Sequence, residues 1–503
     1  MWPPSFSRRT LFYLPLLLLG AEALLHLLQV IIGRIHYPYE LEWMEGGMLH
    51  QVLQVLHGEH LYSQPSLDFV PALYMPLYYY LSALSALVFG ENLFALRVVS
   101  FVAVLATSGF IFAITKKITG SVLTAVLAVL FYALMFRHTG FWFDVARVDS
   151  LWTLLLSASF YCLLLCKNEP TTKNMLWLVR ASVLAFFAKQ ATLFFLPFVL
   201  LTLWCWLGWR KAVQFLLLCL PITLLLFVLC AALSGDKIFF YTMQMASTHG
   251  ITWFGAKRFL EIVAFSVPSF WLATMFFCMQ IGKDARDKMG WIALVTGFIF
   301  VSGLSRAYAG AFYNVLMPLY FCIAITAAIG FGWLVERSQT SRIDVLFALL
   351  LLLGLSLDFL RYRFEPSDQL PRKGSRVATD MLVQRIAAVN GNVCVASHGY
   401  LAWLAGKGFC AHNTQVTDLV TGSDAGLAQV LLDDARQKIL SGYYQVIVLD
   451  REKELLDLGL QFQDIPYTVQ SIDYRGGEPI RFPVNGNSPK LWLEFNEEKK
   501  YAR

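Results

Sequence analysis

Charge is what this sequence has least of. Of its 503 residues only 15% are Asp, Glu, Lys or Arg, against about 25% in an ordinary soluble domain. With 57% hydrophobic residues, a soluble globular fold is excluded and a polytopic α-helical membrane protein is expected. The basic residues fall in short clusters between apolar runs and the formal net charge is only +6, so there is no basic face for nucleic acid. Cysteine is sparse as well. Seven of the nine, Cys162, Cys166, Cys205, Cys219, Cys230, Cys278 and Cys322, lie in apolar spans without metal-ligand spacing, where a thiol acts as a small hydrophobe. Only Cys394 and Cys410 lie in the polar tail, and a disulfide between them requires an oxidising compartment. Low-complexity segments, internal repeats and glycine-rich phosphate loops are missing.

What is abundant is long apolar runs. Stretches of about 17 to 25 residues can be placed at 11–33, 94–115, 121–137, 148–166, 175–188, 191–209, 213–233, 259–281, 290–305, 313–334 and 343–360, which predicts about eleven transmembrane helices. The first run is too long for a cleavable signal and has no small-residue cleavage site after it, so it is expected to be retained. Arg8 and Arg9 then place the N-terminus in the cytoplasm. Lys116 and Lys117, Lys167 and Lys173, Arg210 and Lys211, Lys283 with Arg286 and Lys288, and Arg337 with Arg342 all fall on alternate connections, on the same side. The other connections, including a first outer loop at 34–93, face outward, and the expected location is the cytoplasmic (inner) membrane.

The segment 74–89, YMPLYYYLSALSALVF, could itself be a span, but counting it would invert every later connection. An interfacial helix is expected instead, with its tyrosines at the headgroup level. Residues 1–360 form the membrane domain. The tail, 361–503, changes composition: NVCVASHG and YYQVIVLD read as short strands, ATDMLVQRIAAV and LAQVLLDDARQKIL as amphipathic helices, predicting a small extracytoplasmic (periplasmic) α/β domain.

The scarce charges concentrate on the outward connections, where ionisable groups at membrane depth are functional candidates. If EWMEGGMLHQVLQVLHG begins a helix, Glu42 and Glu45 share a face; helix capping alone would also place acids there. Asp144, Arg147 and Asp149 in RHTGFWFDVARVDSLW are close enough for Arg147 to pair with one acid and leave the other free. Lys189 and Gln190 interrupt two apolar helices, where the lysine can neutralise a lipid-linked phosphate or simply snorkel. Arg306, Tyr308, Tyr313 and Asn314 sit at another outer helix end, and an arginine fork suits phosphate. His249, in MASTHGITW, is a further candidate against the commoner structural role of a lone histidine.

The order EWMEGG, VLQVLHGEHLY and YMPLYYYL, followed by ARVDSLW, AKQATLFFLP and YNVLMPLY, resembles the GT-C membrane glycosyltransferases that use polyprenyl-phosphate sugars. These include protein O-mannosyltransferases and the lipid A aminoarabinose transferase. The match is tightest over roughly the first 120 residues. Where those proteins carry an Asp-Glu pair, this chain has Glu42 and Glu45 with two residues between, and Tyr74 and Met75 stand where a lysine commonly precedes the proline stretch.

The resemblance implies an inverting transfer from a polyprenyl-phosphate donor to a hydroxyl on a lipid, glycan or protein acceptor at the outer face. Either Glu42 or Glu45 would be the base, Asp144 or Asp149 would orient substrate, and Lys189, Arg306 and Arg147 would hold the phosphate. No cofactor is implied with certainty; a divalent metal is conceivable but not expected to be required. Glu40 ranks below the other two acids, since it precedes the helix and has no counterpart in the pattern. The alternative is a transporter or flippase of a lipid-linked or polar substrate, although such proteins tend to carry midplane charges and repeated halves.

Overall fold

Where lipid replaces water every backbone polar group must be satisfied internally, and a helix does this within one segment. The computed structural model describes residues 8–422, 424–474 and 478–501. Its membrane part is built from α1 (Arg8–Arg34), α2 (Glu45–Leu56), α3 (Leu77–Phe89), α4 (Leu93–Thr119), α5 (Val122–His138), α6 (Val148–Asn168), α7 (Thr172–Ala188), α8 (Leu196–Leu207), α9 (Trp209–Ser234), the single turn α10 (Met245–Thr248), α11 (Trp253–Phe265), α12 (Pro268–Gln280), α13 (Ala285–Ala307), α14 (Met317–Arg337) and α15 (Arg342–Arg361). Local chemistry sets their ends. The Asn92 side chain accepts from the Ala95 amide to start α4, Gly120 closes it at φ +70°, and Ser121 caps α5. Arg8 and Arg9 open α1, but their side chains lie outside the described residues.

Each expected span is helical. Among the described residues eight segments are long and apolar enough to cross a membrane, and a bent pair would make nine. α5 and α7 have 17 residues each, about 26 Å of helix. The expected span at 259–281 is two helices, α11 and α12, meeting at 81°. Pro268 opens α12, and its ring forces Val267 out of the helical region, to φ −141° and ψ 63°. α14 is buried at the centre of the bundle over nearly all of Met317–Arg337, its last two residues being exposed, whereas α9 buries only Phe215, Cys219 and Ser234, as a lipid-facing helix does.

The 13-residue α3 is too short to cross, as expected of the 74–89 segment. Its tyrosines do not all face the headgroups, however. Tyr78 and Tyr79 are fully buried, and the Tyr78 hydroxyl donates to the Leu96 carbonyl of α4 at 3.1 Å. The helix is clamped to its neighbour rather than resting on it.

The bundle has two chemically different ends. At one, Lys167 at the close of α6 pairs with Asp287 in the first turn of α13 and sits 4.5 Å above the Trp206 ring, while Arg286 donates to the Trp204 carbonyl. At the other end lie the starts of α2 and α6, the end of α13 and the tail. The tail forms a four-stranded sheet in the order β1-β2-β4-β3, from β1 (Asn392–Val395), β2 (Tyr444–Leu449), β3 (Tyr467–Ser471) and β4 (Leu491–Phe495). β1 and β2 are parallel and the other two pairings antiparallel. The expected amphipathic helices are α16 (Lys373–Ala387) and α19 (Ala425–Ser441), joined by α17 (Gly399–Leu404) and α18 (Asn413–Val420). Tyr400, Val416, Leu419 and Leu431 of α17 to α19 belong to the same buried cluster as the membrane helices, so one core runs through both parts.

Cys394 in β1 and Cys410, ahead of α18, are joined by a disulfide with a sequence separation of 16. Replacing both by Ser should destabilise the tail by about 3 kcal/mol, the loop-closure value for a ring of this size. Thermal unfolding of the purified protein against the Ser variant measures it, and coincident melting curves would show that the ring contributes nothing.

Candidate active site

Burying a charge costs several kcal/mol unless it is paired and its hydrogen-bonding capacity filled. The loop between α1 and α2 obeys that rule strictly. Glu45, in the first turn of α2, receives Arg97 Nε at 3.0 Å on Oε1 and Arg97 Nη2 at 2.6 Å on Oε2. The Ala146 amide completes Oε1 at 2.8 Å and the Leu41 amide completes Oε2 at 2.7 Å. Arg97 spends its remaining donors on the Tyr37 and Tyr39 carbonyls, each at 2.6 Å. A second fork, Arg34 onto Asp144 at 2.8 and 2.5 Å, ties the end of α1 to the loop before α6. All four side chains are fully buried.

Glu42 and Glu45 do not share a helical face, because α2 starts only at Glu45. Glu42 stands in the preceding loop, held in an isolated bridge with Asn485 of the tail. Arg147 pairs with neither Asp144 nor Asp149. It donates to Glu42 Oε2 at 2.9 Å and to the Tyr74 hydroxyl at 2.9 Å. Asp149 instead takes Lys189 Nζ at 2.6 Å and Asn314 Nδ2 at 2.7 Å, so neither aspartate is left without a partner. Glu40, ranked lowest from sequence, faces His398 of the tail, Oε2 to Nδ1 at 2.7 Å. The three acids therefore diverge, each to its own cation. Among the described residues no three His, Cys, Asp or Glu side chains converge on one point, and the acid trio does not fit a shared metal ion.

A cavity of about 340 Å³ opens between the bundle and the tail. Glu42, Tyr74, Arg147, Lys189 and Asn314 line its membrane side, and Asn413, Thr414, Arg451 and Glu454 are among its tail-side residues. Glu45, Asp144 and Asp149 are buried behind that wall. Among the described residues, the hydrogen bonds to Glu42, from Arg147 and the Met44 amide, both converge on Oε2, which leaves Oε1 for the cavity. Burial lifts the Glu42 carboxyl to about 7, since Arg147 offsets only part of the desolvation and Glu45 adds to it. Glu454 across the cavity also rises to about 7, through burial and the neighbouring Asp450.

The other sequence candidates take supporting positions. Gln190 donates to the Leu73 carbonyl at 2.8 Å. Arg306 donates to the Ala311 carbonyl at 3.1 Å and lies 5.5 Å from the Tyr313 ring, bracing the loop that forms one wall. Tyr308 bridges to Ile251, and His249 lies 3.3 Å from Asp418, whose carboxylate raises it. Sequence reasoning missed Arg34, Arg97, Tyr74 and the whole tail-side wall. Arg34 and Arg97 had a signal, each being an arginine at the end of an apolar run; the tail residues had none.

Residues 70–234 match the family model of dolichyl-phosphate-mannose-protein mannosyltransferase. No curated protein matches the chain in sequence. Among solved structures, ArnT from Cupriavidus metallidurans bound to undecaprenyl phosphate is similar at 11% identity and a TM-score of 0.55, over 95% of this chain and 97% of that one. The archaeal oligosaccharyltransferase AglB from Archaeoglobus fulgidus, in complex with an inhibitory peptide and a dolichol-phosphate, is similar at 10% identity and a TM-score of 0.55, over 88% of this chain and 70% of that one. The architecture is similar to that of these two structures. Within it, residues 70–234 carry the sequence pattern of the mannosyltransferase family.

Glu45→Gln should strand the fully buried Arg97 guanidinium and cost about 3–5 kcal/mol, whereas Glu42→Gln, whose partner Arg147 borders the cavity and keeps the Tyr74 hydroxyl, should cost less. Thermal stability of the detergent-solubilised variants tests the contrast, and equal losses would refute it.

Proposed function

We propose that the protein is an inverting glycosyltransferase that moves a sugar from a polyprenyl-phosphate donor to an acceptor hydroxyl at the outer face of the membrane. The observation that carries this reading is one chamber holding both a carboxylate with an open oxygen, Glu42, and two cations, Arg147 and Lys189. Its volume lies within the usual range for small-ligand sites. Glu42 takes the proton of the acceptor hydroxyl as that oxygen attacks the anomeric carbon. The bond from that carbon to the phosphate oxygen breaks, and the lipid phosphate leaves with the electron pair. Arg147 and Lys189 stabilise the departing charge. Glu45, Asp144 and Asp149 are the scaffold that aims these groups.

The lipid-bound state of the similar ArnT and AglB structures supports a lipid-phosphate donor. The disulfide in the tail supports placing that end of the bundle in an oxidising, extracytoplasmic compartment, and the basic cluster at the opposite end supports a cytoplasmic location there.

With undecaprenyl-phosphate hexoses and pentoses as donors in reconstituted vesicles, Glu42→Gln should lower transfer by about 10²–10⁴-fold; an unchanged rate would remove Glu42 as the base. The carboxylate is the active form and its pKa lies at about 7, so kcat should rise with pH through neutrality and level off above it. A flat profile from pH 5 to 9 would contradict this. Because each acid already faces a protein cation, prolonged EDTA treatment should leave the rate unchanged, and a loss restored by added divalent ion would show that a metal binds elsewhere. Movement of unaltered donor across the vesicle, with no sugar on any acceptor, would favour a carrier.

A further inference from the structure

The loop that carries Glu42 is gripped from two sides. From the membrane side, Arg97 binds the carbonyls of Tyr37 and Tyr39 and the side chain of Glu45. From the tail, the Tyr400 hydroxyl donates to the Pro38 carbonyl at 3.0 Å and the Val484 amide to the Leu41 carbonyl at 3.0 Å. The Trp43 amide donates to the Asn485 carbonyl at 3.1 Å. His412 Nε2 lies 3.1 Å from the Trp43 carbonyl while its Nδ1 accepts from the Thr414 amide, which fixes a neutral ring with the proton on Nε2.

Among the described residues the one ion pair in this tail-side grip is His398 with Glu40, beside the Tyr39 hydroxyl that donates to the Asp380 carboxylate. His398 Nδ1 lies 2.7 Å from Glu40 Oε2 and its Nε2 lies 3.0 Å from the Asn487 carbonyl. A carbonyl only accepts, so Nε2 carries a proton; the proton between Nδ1 and Glu40 is held on the ring because Glu40 and Asp450 raise the imidazole well above its usual value, although burial raises the Glu40 carboxyl too. Asp450 lies 3.5 Å from Nε2 and the Phe482 ring stacks on the imidazole at 4.8 Å. Burial opposes that charge, but Glu40 and Asp450 outweigh it. The second oxygen of Glu40 accepts from the Gly46 amide at 3.0 Å. A methyl group on Gly46 would come within 2.4 Å of that oxygen and 2.6 Å of Tyr400 Cβ, so the glycine is what lets the acid reach under the start of α2. Glu40 thus bridges the tail to the first turn of α2, with Glu42 on the arc between its two contacts.

We propose that His398 is a positioning residue: by holding Glu40 from the tail, it sets the backbone of residues 40–46 so that the Glu42 carboxylate faces the chamber. The tail thereby completes the catalytic site. This rests on Glu42 being the base.

The test uses full-length protein in vesicles with undecaprenyl-phosphate hexose as donor. Glu40→Gln and His398→Gln should each lower kcat by about 100-fold, the cost of a displacement near 1 Å, with KM for the donor close to the parent; Glu40→Gln should melt close to the parent, whereas His398→Gln leaves Glu40 buried without its cation and should melt lower. Glu40→Gln leaves His398 beside Asp450, which keeps a partner for the buried imidazolium. In both variants the pH at which kcat is half-maximal should move away from that of the parent, since Glu42 is no longer held against Arg147. The double variant should be no slower than the slower single, because both break one link.

Parental kcat with an unmoved pH limb in folded Glu40→Gln, or failure of every variant to fold, would overturn the proposal in favour of a purely structural contact. Glu42→Gln measured alongside separates the two readings. An active Glu42→Gln removes the base assignment itself, whereas an inactive one beside fully active Glu40 and His398 variants removes only the positioning role.

Discussion

The pair on which the rest of the structure depends is Arg97 with Glu45. It lies where a lipid-facing helix, an interfacial helix and an irregular loop must meet without water, and irregular backbone at that depth is tolerated only when protein satisfies it. Arg97 supplies two donors to a carboxylate and its others to loop carbonyls, while Glu45 returns two backbone amides. Removing either partner would leave several groups unsatisfied at once. Low local dielectric makes such a network strong when it is complete and costly when it is not.

The buried acids of the site divide into two kinds by how much of their capacity is spent. Glu45, Asp144 and Asp149 have donors on both oxygens, and a carboxylate so placed is fixed in position. Glu42 has its donors on one oxygen and a cavity before the other. The same burial that stabilises the first group through complete pairing pushes Glu42 toward neutrality, because its pairing is incomplete. Incomplete satisfaction sets the proposed base apart from the fully paired acids, and the difference comes from the loop's path, not from residue type.

Much of the architecture was legible because membrane helices advertise themselves by length and apolarity. The eleven expected spans are all helical, and both expected strands and both amphipathic helices of the tail formed. The bend before Pro268 is missed by the reading of 259–281 as one span, although the restriction a proline puts on the residue before it is there to be read. The roles of the three glutamates were not legible. Helical spacing put Glu42 and Glu45 on one face, but Glu42 belongs to an extended segment that a tail residue more than 400 positions away holds in place. Glu40 ranks low because it precedes the helix and has no counterpart in the family pattern, and its partner, His398, lies 358 positions away. Local periodicity says which residues share a surface only inside a regular element; in a loop the partner is chosen by tertiary contacts.

The distribution of charge also bears on the rival carrier reading. A carrier that moves a polar substrate across the bilayer usually needs polar groups near the midplane, often on interrupted helices. In this bundle the central helix α14 is continuous and buried along all but its last turn. Lys189, Asp149, Asn314 and Arg306 all sit at the same end as the tail and are tied to one another or to nearby backbone. The bend between α11 and α12 offers no exception: the Ser269 amide just after it donates to Asp358 near the end of α15, so its freed backbone is met at that same end. The buried polar groups around the chamber are therefore gathered at one face and spent there, which suits the proposed chemistry on a substrate whose lipid tail stays in the membrane while its head enters the chamber.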